Sequence, residues 1–456
     1  MKMNFWTASL EAVLIATLFT TAAFSQNFVP DARRIALGAI GNQGNLGSKL
    51  AEEQGPYRAI PVPLGLFQVL RHLKVFDPND PDFDPVRAVE NLASPMHFTF
   101  NRGTSGPGSN LIGDLVNGRV SRDLNSYRGF APASNVDSQG LWAPSWGKTI
   151  RVAGDKATGS SHGIFVGAGP YVSLGTNLKI DQNLIDVLAS STNVYRPNTT
   201  FRIGDLTTGQ GAIAITGGYR GRLAVFDMTR KNAGSRDGVY IAMDYHNLRG
   251  VHYDTADIAL RFDTDQSGRI TLQPNTTPIT VARTTSKTGH GFAVDLGTAV
   301  IVNGWNFSAG ANGVGNRITW ESLRSEQLVL QSLFQGGNFV RRPLAAPTGT
   351  REISLPVQYS GAGGYRSKRW AAQTEVAHGL QGLSIHSGVE YWLGPVVLRG
   401  GSRRQLDRWH ASTGIGLNLT RRFGIDLAVY QTTANIERKQ KIGLALSLRL
   451  NRPDNK

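Results

Sequence analysis

The chain of 456 residues contains no cysteine and, after its first two dozen residues, no long apolar run. The absence of cysteine excludes a disulfide framework, a lipoprotein anchor and a zinc site with cysteine ligands. A membrane-spanning helix needs roughly 20 predominantly apolar residues, so the sequence also excludes a helical membrane protein. The zinc-protease signature H-E-x-x-H and the glycine loops that bind phosphate groups are missing as well. We therefore expect no enzymatic activity and no cofactor.

The charge balance of the chain is strongly basic. The formal net charge is +15, and Arg399–Lys456 holds twelve Lys and Arg residues against four Asp and Glu residues. In a cytoplasmic protein such a balance favours nucleic acid as the partner. The chain begins, however, with Lys2 and the apolar run Ala12–Phe24, and Ala23 and Ser25 fit the small residues of a cleavage site. We therefore predict a signal peptide over residues 1–25, with an uncleaved anchor as the alternative. The expected partners are outer-membrane lipid and lipopolysaccharide, and not nucleic acid.

Residues 26–95 lack the pattern of a sheet. Pro63–Val75 has the spacing of a helix, whereas Asp77–Pro85 is acidic and Pro-rich, which excludes a central strand. We interpret residues 26–95 as an irregular and helical segment. It is either an exposed linker or a hatch that plugs the mouth of a barrel.

Residues 96–450 are typical of repeated strands separated by turns, and residues 451–456 form a short tail. In Lys441–Leu450, KIGLALSLRL, every second residue is aliphatic and the others are small, polar or charged. The same alternation runs through 383–391, 409–419 and 423–429. Ten residues of about 3.3 Å each, tilted by about 40°, cover about 25 Å, which is the height of the apolar band of an outer-membrane barrel. Strands of soluble sheets usually end after about five or six residues, so we predict that these aliphatic faces contact lipid.

The connections between these strands differ in length. Leu393–Pro395 and Thr420–Arg422 read as short turns, and Gly400–Arg408 and Gln431–Gln440 read as longer polar loops. Short turns on one side and longer loops on the other are typical of outer-membrane barrels.

Several stretches resemble one family, the FadL-type outer-membrane barrels. The stretches at 388–404, 409–432 and 441–450 resemble the C-terminal end of those proteins. GFAVDLGTAV (291–300) resembles their G-f-x-x-D-L-G strand, and DARRIALGAIG (31–41) resembles their D-A-R opening. The family includes long-chain fatty-acid transporters, conjugation-associated TraF-type barrels and PorV-type shuttles. The resemblance implies a transmembrane antiparallel β-barrel of about 14 strands with a small N-terminal hatch segment.

The sequence departs from the family at two places. Asn91-Leu92-Ala93 lacks the proline of the family's Asn-Pro-Ala motif. The chain also continues for six residues beyond Leu450 instead of ending on an aromatic residue.

Ionisable residues occur on the polar faces of the predicted strands. They are His386, Glu390, Arg399, His410, Asp426 and, in GFAVDLG, Asp295. The spacing of these residues does not match a nucleophile with its base, and the inner wall of a barrel is polar without catalysis. We interpret them as lumen-facing wall residues.

Asp263, Asp265 and Ser267 begin a stretch that resembles a calcium-binding loop. The twelfth position of that loop requires a bidentate Glu, and here it is Pro274. The flanking residues have strand patterns, so we predict a hairpin turn, with a surface calcium site as the alternative.

Two further features fall in predicted loops. A basic loop patch consists of Arg403, Arg404, Arg408, Arg438 and Lys439. It is either ordinary solvated charge or a contact for lipopolysaccharide phosphate. The amphipathic stretch at 182–190 predicts a helix, which is either packed on the sheet or a lid over a ligand entry.

Three functions are consistent with these features. The first is an outer-membrane barrel for passive transport of a hydrophobic or amphipathic small molecule. The second is an accessory barrel of a secretion or conjugation apparatus that binds an envelope protein through its loops. The third is a soluble secreted β-protein, in which the aliphatic faces would be covered by another layer.

Overall fold

The structure is a computed structural model. It describes residues 31–40, 45–53, 57–62, 64, 97–99, 123–124, 135–143, 145–155, 160–190, 195–224, 237–271, 279–330, 339–345, 347–380, 382–405, 408–420, 422–434 and 439–451. The predicted signal peptide, the predicted helix at 63–75 except for residue 64, and the C-terminal tail beyond residue 451 lie outside the described residues.

The described elements are mainly strands. The helices are α1 (Ala32–Ala36), α2 (Leu46–Glu53) and α3 (Gln182–Ala189). The strands are β1 (Tyr57–Val62), β2 (His97–Thr99), β3 (Asn135–Trp142), β4 (Trp146–Asp155), β5 (Ser160–Ile180), β6 (Thr200–Leu223), β7 (Gly238–Thr264), β8 (Ile270–Thr271), β9 (Ile279–Ser286), β10 (Thr288–Val302), β11 (Trp305–Glu321), β12 (Arg324–Leu330), β13 (Phe339–Pro343), β14 (Arg351–Ile353), β15 (Gln358–Arg366), β16 (Trp370–Gly379), β17 (Gly382–Leu393), β18 (Val396–Gln405), β19 (Arg408–Asn418), β20 (Phe423–Ala434) and β21 (Lys439–Asn451).

These strands pair antiparallel in one sheet. At one edge β3 and β4 both pair with β5, which is followed by β6 and β7. Next come β10, β11 and β15, and then β16 to β21 in chain order. At the other edge β1 and β2 both pair with β21. The predicted all-β, antiparallel fold is therefore confirmed.

The alternation predicted for the C-terminal strands is present in the structure. On β21 the side chains of Ala445, Ser447 and Arg449 are buried, and Leu450 is exposed. The same period of two holds along β17 and β20, where small and charged residues are buried and aliphatic residues are exposed or half-buried. A period of two places successive side chains on opposite faces. One face of the sheet is therefore apolar and exposed, and the other is buried and rich in polar groups.

Along each of the long strands β6 and β7, the apolar face and the polar face change places part-way. In the part near the β6–β7 connection, exposed Ile215 and Met243 are opposed by buried Arg220 and Asp244. The far part has the reverse arrangement. Phe201, Ile258, Leu260 and Phe262 are buried there, and Arg202, Asp257 and Arg261 are exposed.

The far parts of β5, β6 and β7 form a unit that we call the extension. It also contains α3, β9, β12 and β13, because β9 pairs with the far part of β7 and then with β12. Helix α3 buries Leu184, Val187 and Leu188, which confirms the predicted helix at this position. A buried apolar face under a charged outer face is the arrangement of a protein in water.

Residues 31–40 and 45–53 lie against the buried face of the sheet, and we call them the inner segment. Helix α1 contacts β18, β19, β20 and β21, and α2 contacts β7, β10 and β11. Strands far apart in the ladder thus contact one short segment, so the sheet curves around it.

The part of the sheet that surrounds the inner segment is called the wall below. Small residues of the wall make the contact with the segment possible. A Cβ atom on Gly401 would lie 2.3 Å from the backbone N of Gly38, and one on Gly297 would lie 2.3 Å from the N of Gly47. Gly388 likewise leaves room for Leu37.

Two predictions about chain organisation were wrong. Tyr57–Val62 is a strand paired with the end of β21, although this part was predicted to be irregular. Pro61 is tolerated because β1 lies at the edge of the sheet, where the missing backbone N–H of proline does not interrupt the hydrogen bonds between inner strands. The stretches at 400–408 and 431–440, both predicted to be long loops, are largely strand. β18 continues to Gln405 and β19 begins at Arg408, while β20 continues to Ala434 and β21 begins at Lys439.

No helix within the described ranges is long and apolar enough to cross a membrane.

Neighbouring glycines of β18 provide a test of the contact with the inner segment. Gly401→Val inserts a side chain into the backbone of the segment. We expect it to lower the free energy of unfolding by about 1–3 kcal/mol, or to expel the segment from the sheet. Gly400→Val is the matched control, since no atom lies within 4 Å of a Cβ at Gly400. Urea unfolding and limited proteolysis of the segment measure the two outcomes. Equal behaviour of the two variants would contradict the packing described here.

Candidate functional site

A chain of buried ion pairs connects the inner segment to the wall. Arg33 of α1 donates two hydrogen bonds from Nε to the carboxylate of Glu390, at 3.0 and 3.1 Å, and its Nη2 forms an ion pair with the same group. Arg399 lies between two acids: its Nε is 2.9 Å from Glu390 Oε2, and its Nη1 is 2.7 Å from Asp426 Oδ1. Arg449 extends the chain, with Nε 3.4 Å from Asp426 Oδ2. We call these five residues the charge chain.

The ladder explains how residues distant in sequence come together. Glu390 pairs with Arg399 across β17 and β18, and Asp426 pairs with Ser447 across β20 and β21. Gly416, which is opposite Asp426 on β19, has no side chain to block the Arg399 guanidinium. The small residue between the charged strands therefore allows Arg399 to reach both carboxylates.

Burial makes the charge chain costly to break. The side chains of Arg399 and Asp426 have no exposed surface, and that of Glu390 is 4% exposed. A buried charge is tolerated only when opposite charges and hydrogen bonds satisfy it. The two carboxylates are each shared by two arginines, so the three arginines and two acids form one unit.

Neutral hydrogen bonds also hold the inner segment to the wall. Ala32 donates its N–H to Ser447 Oγ at 2.8 Å, and Gly38 donates its N–H to Ser412 Oγ at 3.1 Å. His386 Nδ1 lies 2.6 Å from the carbonyl oxygen of Gly38. On the opposite side, the hydroxyl groups of Ser48 and Ser308 are 2.7 Å apart.

A second polar cluster lies on the wall near α2. Arg220 of β6 forms a bidentate ion pair with Asp244 of β7, at 2.6 and 2.7 Å. His246 Nε2 is 3.2 Å from Asp295 Oδ2, and Asp295 Oδ1 accepts a hydrogen bond from the N–H of Gly313 at 2.7 Å. The wall near α2 is thus as polar as the wall near α1.

An aromatic cluster separates the polar interior from the extension. Tyr253 and Trp320 stack with their ring centroids 5.5 Å apart, and Trp320 Nε1 donates to Gln210 Oε1 at 3.1 Å. Both rings are fully buried. Gly250 and Gly289 leave room for the Trp320 ring, which a Cβ on either residue would approach to 2.7 Å.

A small polar cavity lies between the inner segment and β15–β16. It is lined by Arg34, Asn45, Lys49, Gln373 and Glu375, among others, and its volume is about 20 Å³. Such a cavity holds about one water molecule, whereas sites for drug-sized ligands have roughly 300 Å³ or more. At this place the segment leaves no room for a larger solute.

The structure brings together only some of the predicted wall residues. Glu390, Arg399 and Asp426 belong to the charge chain, and Asp295 belongs to the second cluster. His386 and His410 are buried on either side of Arg403, because the ladder pairs Arg403 with both of them.

Arg33 and Arg449 were missed as members of the site. Arg449 occupies a polar position in the KIGLALSLRL alternation, so the pattern did contain a signal for it. Nothing in the local sequence of Arg33 indicates a partner 357 residues away.

The predicted basic loop patch is not a loop patch. Arg403 and Arg404 lie in β18, and Arg403 is buried on the inner face. Arg408 begins β19 and Lys439 begins β21, while Arg438 lies outside the described residues. Gly400 and Gly401 suggested a loop, but Gly401 is required by the contact with the inner segment.

The Asp263–Ser267 stretch forms the predicted hairpin turn. Asp265 Oδ1 accepts hydrogen bonds from the Ser267 hydroxyl at 2.6 Å and from the N–H groups of Ser267 and Arg269. These bonds, that of the Ser267 hydroxyl foremost, lower the pKa of Asp265 below its usual value. Their stabilisation is therefore present at neutral pH and is lost as the pH falls through the lowered pKa. Among the described residues, no group of three or more His, Asp or Glu residues is arranged to hold a metal ion.

One match to a hydrolase signature is present in the sequence. Residues 159–163, GSSHG, fit the pattern G-x-S-x-G. That pattern places its serine on a sharp turn between a strand and a helix. Ser161 instead lies within β5, paired with Arg222 of β6, so the match carries no catalytic geometry.

Comparisons with known proteins give weak structural likenesses. No protein-family model matches the chain, and no curated protein matches it significantly. Among solved structures, the chain is similar to the Ralstonia pickettii toluene transporter TbuX at 10% identity and a TM-score of 0.32, covering 78% of this chain and 100% of that one. It is also similar to a mutant porin of Rhodopseudomonas blastica at 9% identity and a TM-score of 0.21, covering 54% of this chain and 100% of that one. Likenesses at such TM-scores determine neither fold nor function.

The charge chain makes a testable energetic prediction. Glu390→Gln preserves the shape of the side chain but removes the negative charge that Arg33 and Arg399 share. We therefore expect a loss of about 3–5 kcal/mol in the free energy of unfolding. The matched control is Glu352→Gln, since Glu352 and Arg317 form an exposed pair at 3.9 Å, which contributes at most about 1 kcal/mol. Urea unfolding of both variants measures the difference. Equal losses would show that the charge chain does not hold the fold together.

Proposed function

We propose that the chain is an outer-membrane β-barrel for passive transport of a hydrophobic or amphipathic small molecule, with the inner segment as its hatch. The observation that carries the proposal is the arrangement of the C-terminal wall. Its exposed face is aliphatic, and its buried face surrounds a separate segment held by ion pairs.

The exposed face has the dimensions of a lipid contact. Strands β16 to β21 have 10–13 residues each. At about 3.3 Å per residue and a tilt of about 40°, they span the roughly 25 Å of an apolar band. In water such a face would be a large aggregation-prone patch. Lipid is the solvent that this face fits.

The ladder supports closure into a barrel of fourteen strands. Its positions, in order, are β3 with β4, then β5, β6, β7, β10, β11, β15, β16, β17, β18, β19, β20, β21, and finally β1 with β2. In an antiparallel ladder with an even number of positions, the two edges run in opposite directions. The edges here therefore have the directions that a closing pair requires, and closure would remove both free edges.

The extension indicates the orientation in the membrane. Outer-membrane barrels have short periplasmic turns and larger extracellular parts. The turn between β10 and β11 consists of Asn303 and Gly304, and that between β17 and β18 consists of Gly394 and Pro395. Both lie at the end of the wall opposite to the extension. The extension then projects outside the cell, where its charged outer face meets water.

Transport in this proposal requires the inner segment to move. The segment packs against the buried face of the wall through α1 and α2, and the aromatic cluster closes the interior toward the extension. Displacement must break the charge chain and the serine contacts, so we expect the closed state to predominate and the segment to open only transiently. Diffusion along the solute gradient drives the passage.

A disulfide lock tests whether the segment must move. The chain has no cysteine, so Ser48→Cys with Ser308→Cys creates one pair, at positions whose hydroxyl groups are 2.7 Å apart. Oxidation should join α2 to β11. We expect uptake of radiolabelled toluene or oleate into vesicles to fall to the rate without protein, and reduction to restore it.

A disulfide within the extension is the control for the lock. Thr284 and Ser325 have hydroxyl groups 2.8 Å apart on β9 and β12, so a cysteine pair there forms a bond without touching the inner segment. Uptake should survive this bond. Full uptake through the oxidised Ser48–Ser308 lock would refute the moving hatch.

The extension favours a second candidate function. The extension has its own apolar core and stands beyond the exposed aliphatic face of the wall, which we call the aliphatic belt. An accessory barrel would use the extension as a platform for an envelope protein. Insertion into membranes without uptake of either solute, locked or unlocked, would support this function over transport.

A further inference from the structure

The two ends of the aliphatic belt differ in their charges. At the end of the short turns, Lys368 and Arg369 lie in the turn between β15 and β16, and Arg422 lies in the turn between β19 and β20. All three are exposed, and none forms an ion pair with another described residue. We call these three residues the turn rim. The carboxylate of Asp237 lies at the same end, and it accepts a hydrogen bond from the N–H of Asn303 in a neighbouring turn.

At the opposite end of the belt, carboxylates lie beside cations. Arg317 lies 3.9 Å from Glu352, and His290 lies 3.4 Å from Glu321. Arg249 also faces outward there, beside His290 in the ladder. Lys287 and Arg351 are also exposed at this end, so the two ends differ in their ion pairs: carboxylates lie beside cations here, whereas none of the turn-rim cations is paired with a described residue.

Aromatic side chains accompany the turn rim on the exposed face. Trp305, Tyr365 and Trp370 form a continuous cluster, with ring centroids 4.9 and 5.3 Å apart. Tyr391 and Leu393 are exposed beside the neighbouring turn. Rings of this kind lie at the level of lipid head groups, which places the rim cations at the depth of the phosphates.

The turns present these cations outward. Ser367 Oγ accepts hydrogen bonds from the N–H groups of Arg369 and Trp370, and Thr420 Oγ1 accepts them from those of Arg422 and Phe423. The backbone N–H groups of both turns are thereby satisfied within the turns. The three cationic side chains are exposed and form no ion pair with a described residue, so they are available to a ligand.

We infer that the turn rim binds the phosphate groups of anionic phospholipids, of which phosphatidylglycerol is the simplest, in the leaflet next to the short turns. The inference rests on the proposed function, since it requires that the belt lie in a membrane. Cations near an anionic surface are attracted to it, and Arg presents a planar fork to phosphate while Lys acts as a point charge. The acyl chains of the bound lipid would lie along Tyr391 and Leu393.

The test compares vesicles of phosphatidylcholine with and without phosphatidylglycerol. The measured quantity is the temperature at which the compact gel band of the unboiled protein is lost. We expect phosphatidylglycerol to raise this temperature for the unmodified protein, and high salt to abolish most of the rise, because exposed charges are screened. The variant Lys368→Gln/Arg369→Gln/Arg422→Gln should lose most of the rise at low salt.

The control removes the same charge from the extension. Arg196, Arg202 and Arg261 are exposed there and stand clear of the membrane in the proposed orientation, so their triple substitution by Gln should retain the rise. Loss of the rise in the control to the same extent as in the rim variant would overturn the inference. So would an unmodified protein that inserts but does not respond to phosphatidylglycerol, and in that case the barrel proposal would stand. Failure to insert into either type of vesicle would overturn both.

Discussion

The alternation of side chains between the two faces of a strand is the constraint on which the rest of this structure depends. On β17 to β21 the alternation places aliphatic residues on one face and small or charged residues on the other. Each face is unsuited to the medium that the other face requires. An aliphatic surface of this extent is unfavourable in water, and the charged groups are costly in an apolar medium unless they are paired. The two faces of the wall must therefore meet different surroundings along its whole length.

The inner segment and the charge chain follow from this constraint. A wall that turns charged residues inward must satisfy them inside, and a single strand cannot do so. Glu390 and Asp426 are satisfied by arginines from the wall and from α1, and the glycines at 388, 401 and 414 leave space for the segment that brings Arg33. The same contacts that stabilise the closed interior oppose the movement that transport would need. In the proposed function, stability and transport would depend on one set of residues.

The sequence predicted the elements that depend on local pattern. The strand faces at the C-terminal end are present as predicted, and the helix predicted at 182–190 is present at 182–189, because a period of two or of 3.6 residues can be seen within ten residues. The inward positions of Glu390, Arg399 and Asp426 belong to the same pattern. Their partners could not be predicted, because the contact between Arg33 and Glu390 depends on the curvature of the whole sheet.

The errors have physical reasons as well. Residues 400–405 resembled a loop because two glycines precede two arginines, yet the ladder continues through them and Arg403 is turned inward. The extension was missed because apolar residues alternate with polar ones on both parts of β7, and only burial reveals that the two parts face different surroundings. A pattern identifies which residues share a face, but it does not identify the solvent of that face.

The most direct test of this account is the solvent of the exposed face of β7, measured by site-directed spin labelling. The absence of cysteine allows a single label at Met243, in the aliphatic belt, or at Asp257, in the extension. Both side chains are exposed on the same strand. In reconstituted vesicles, the account predicts that a label at Met243 is accessible to oxygen and shielded from a water-soluble nickel complex, and that a label at Asp257 shows the reverse. Equal access of the nickel complex to both positions would contradict the account, because it would place the aliphatic belt in water.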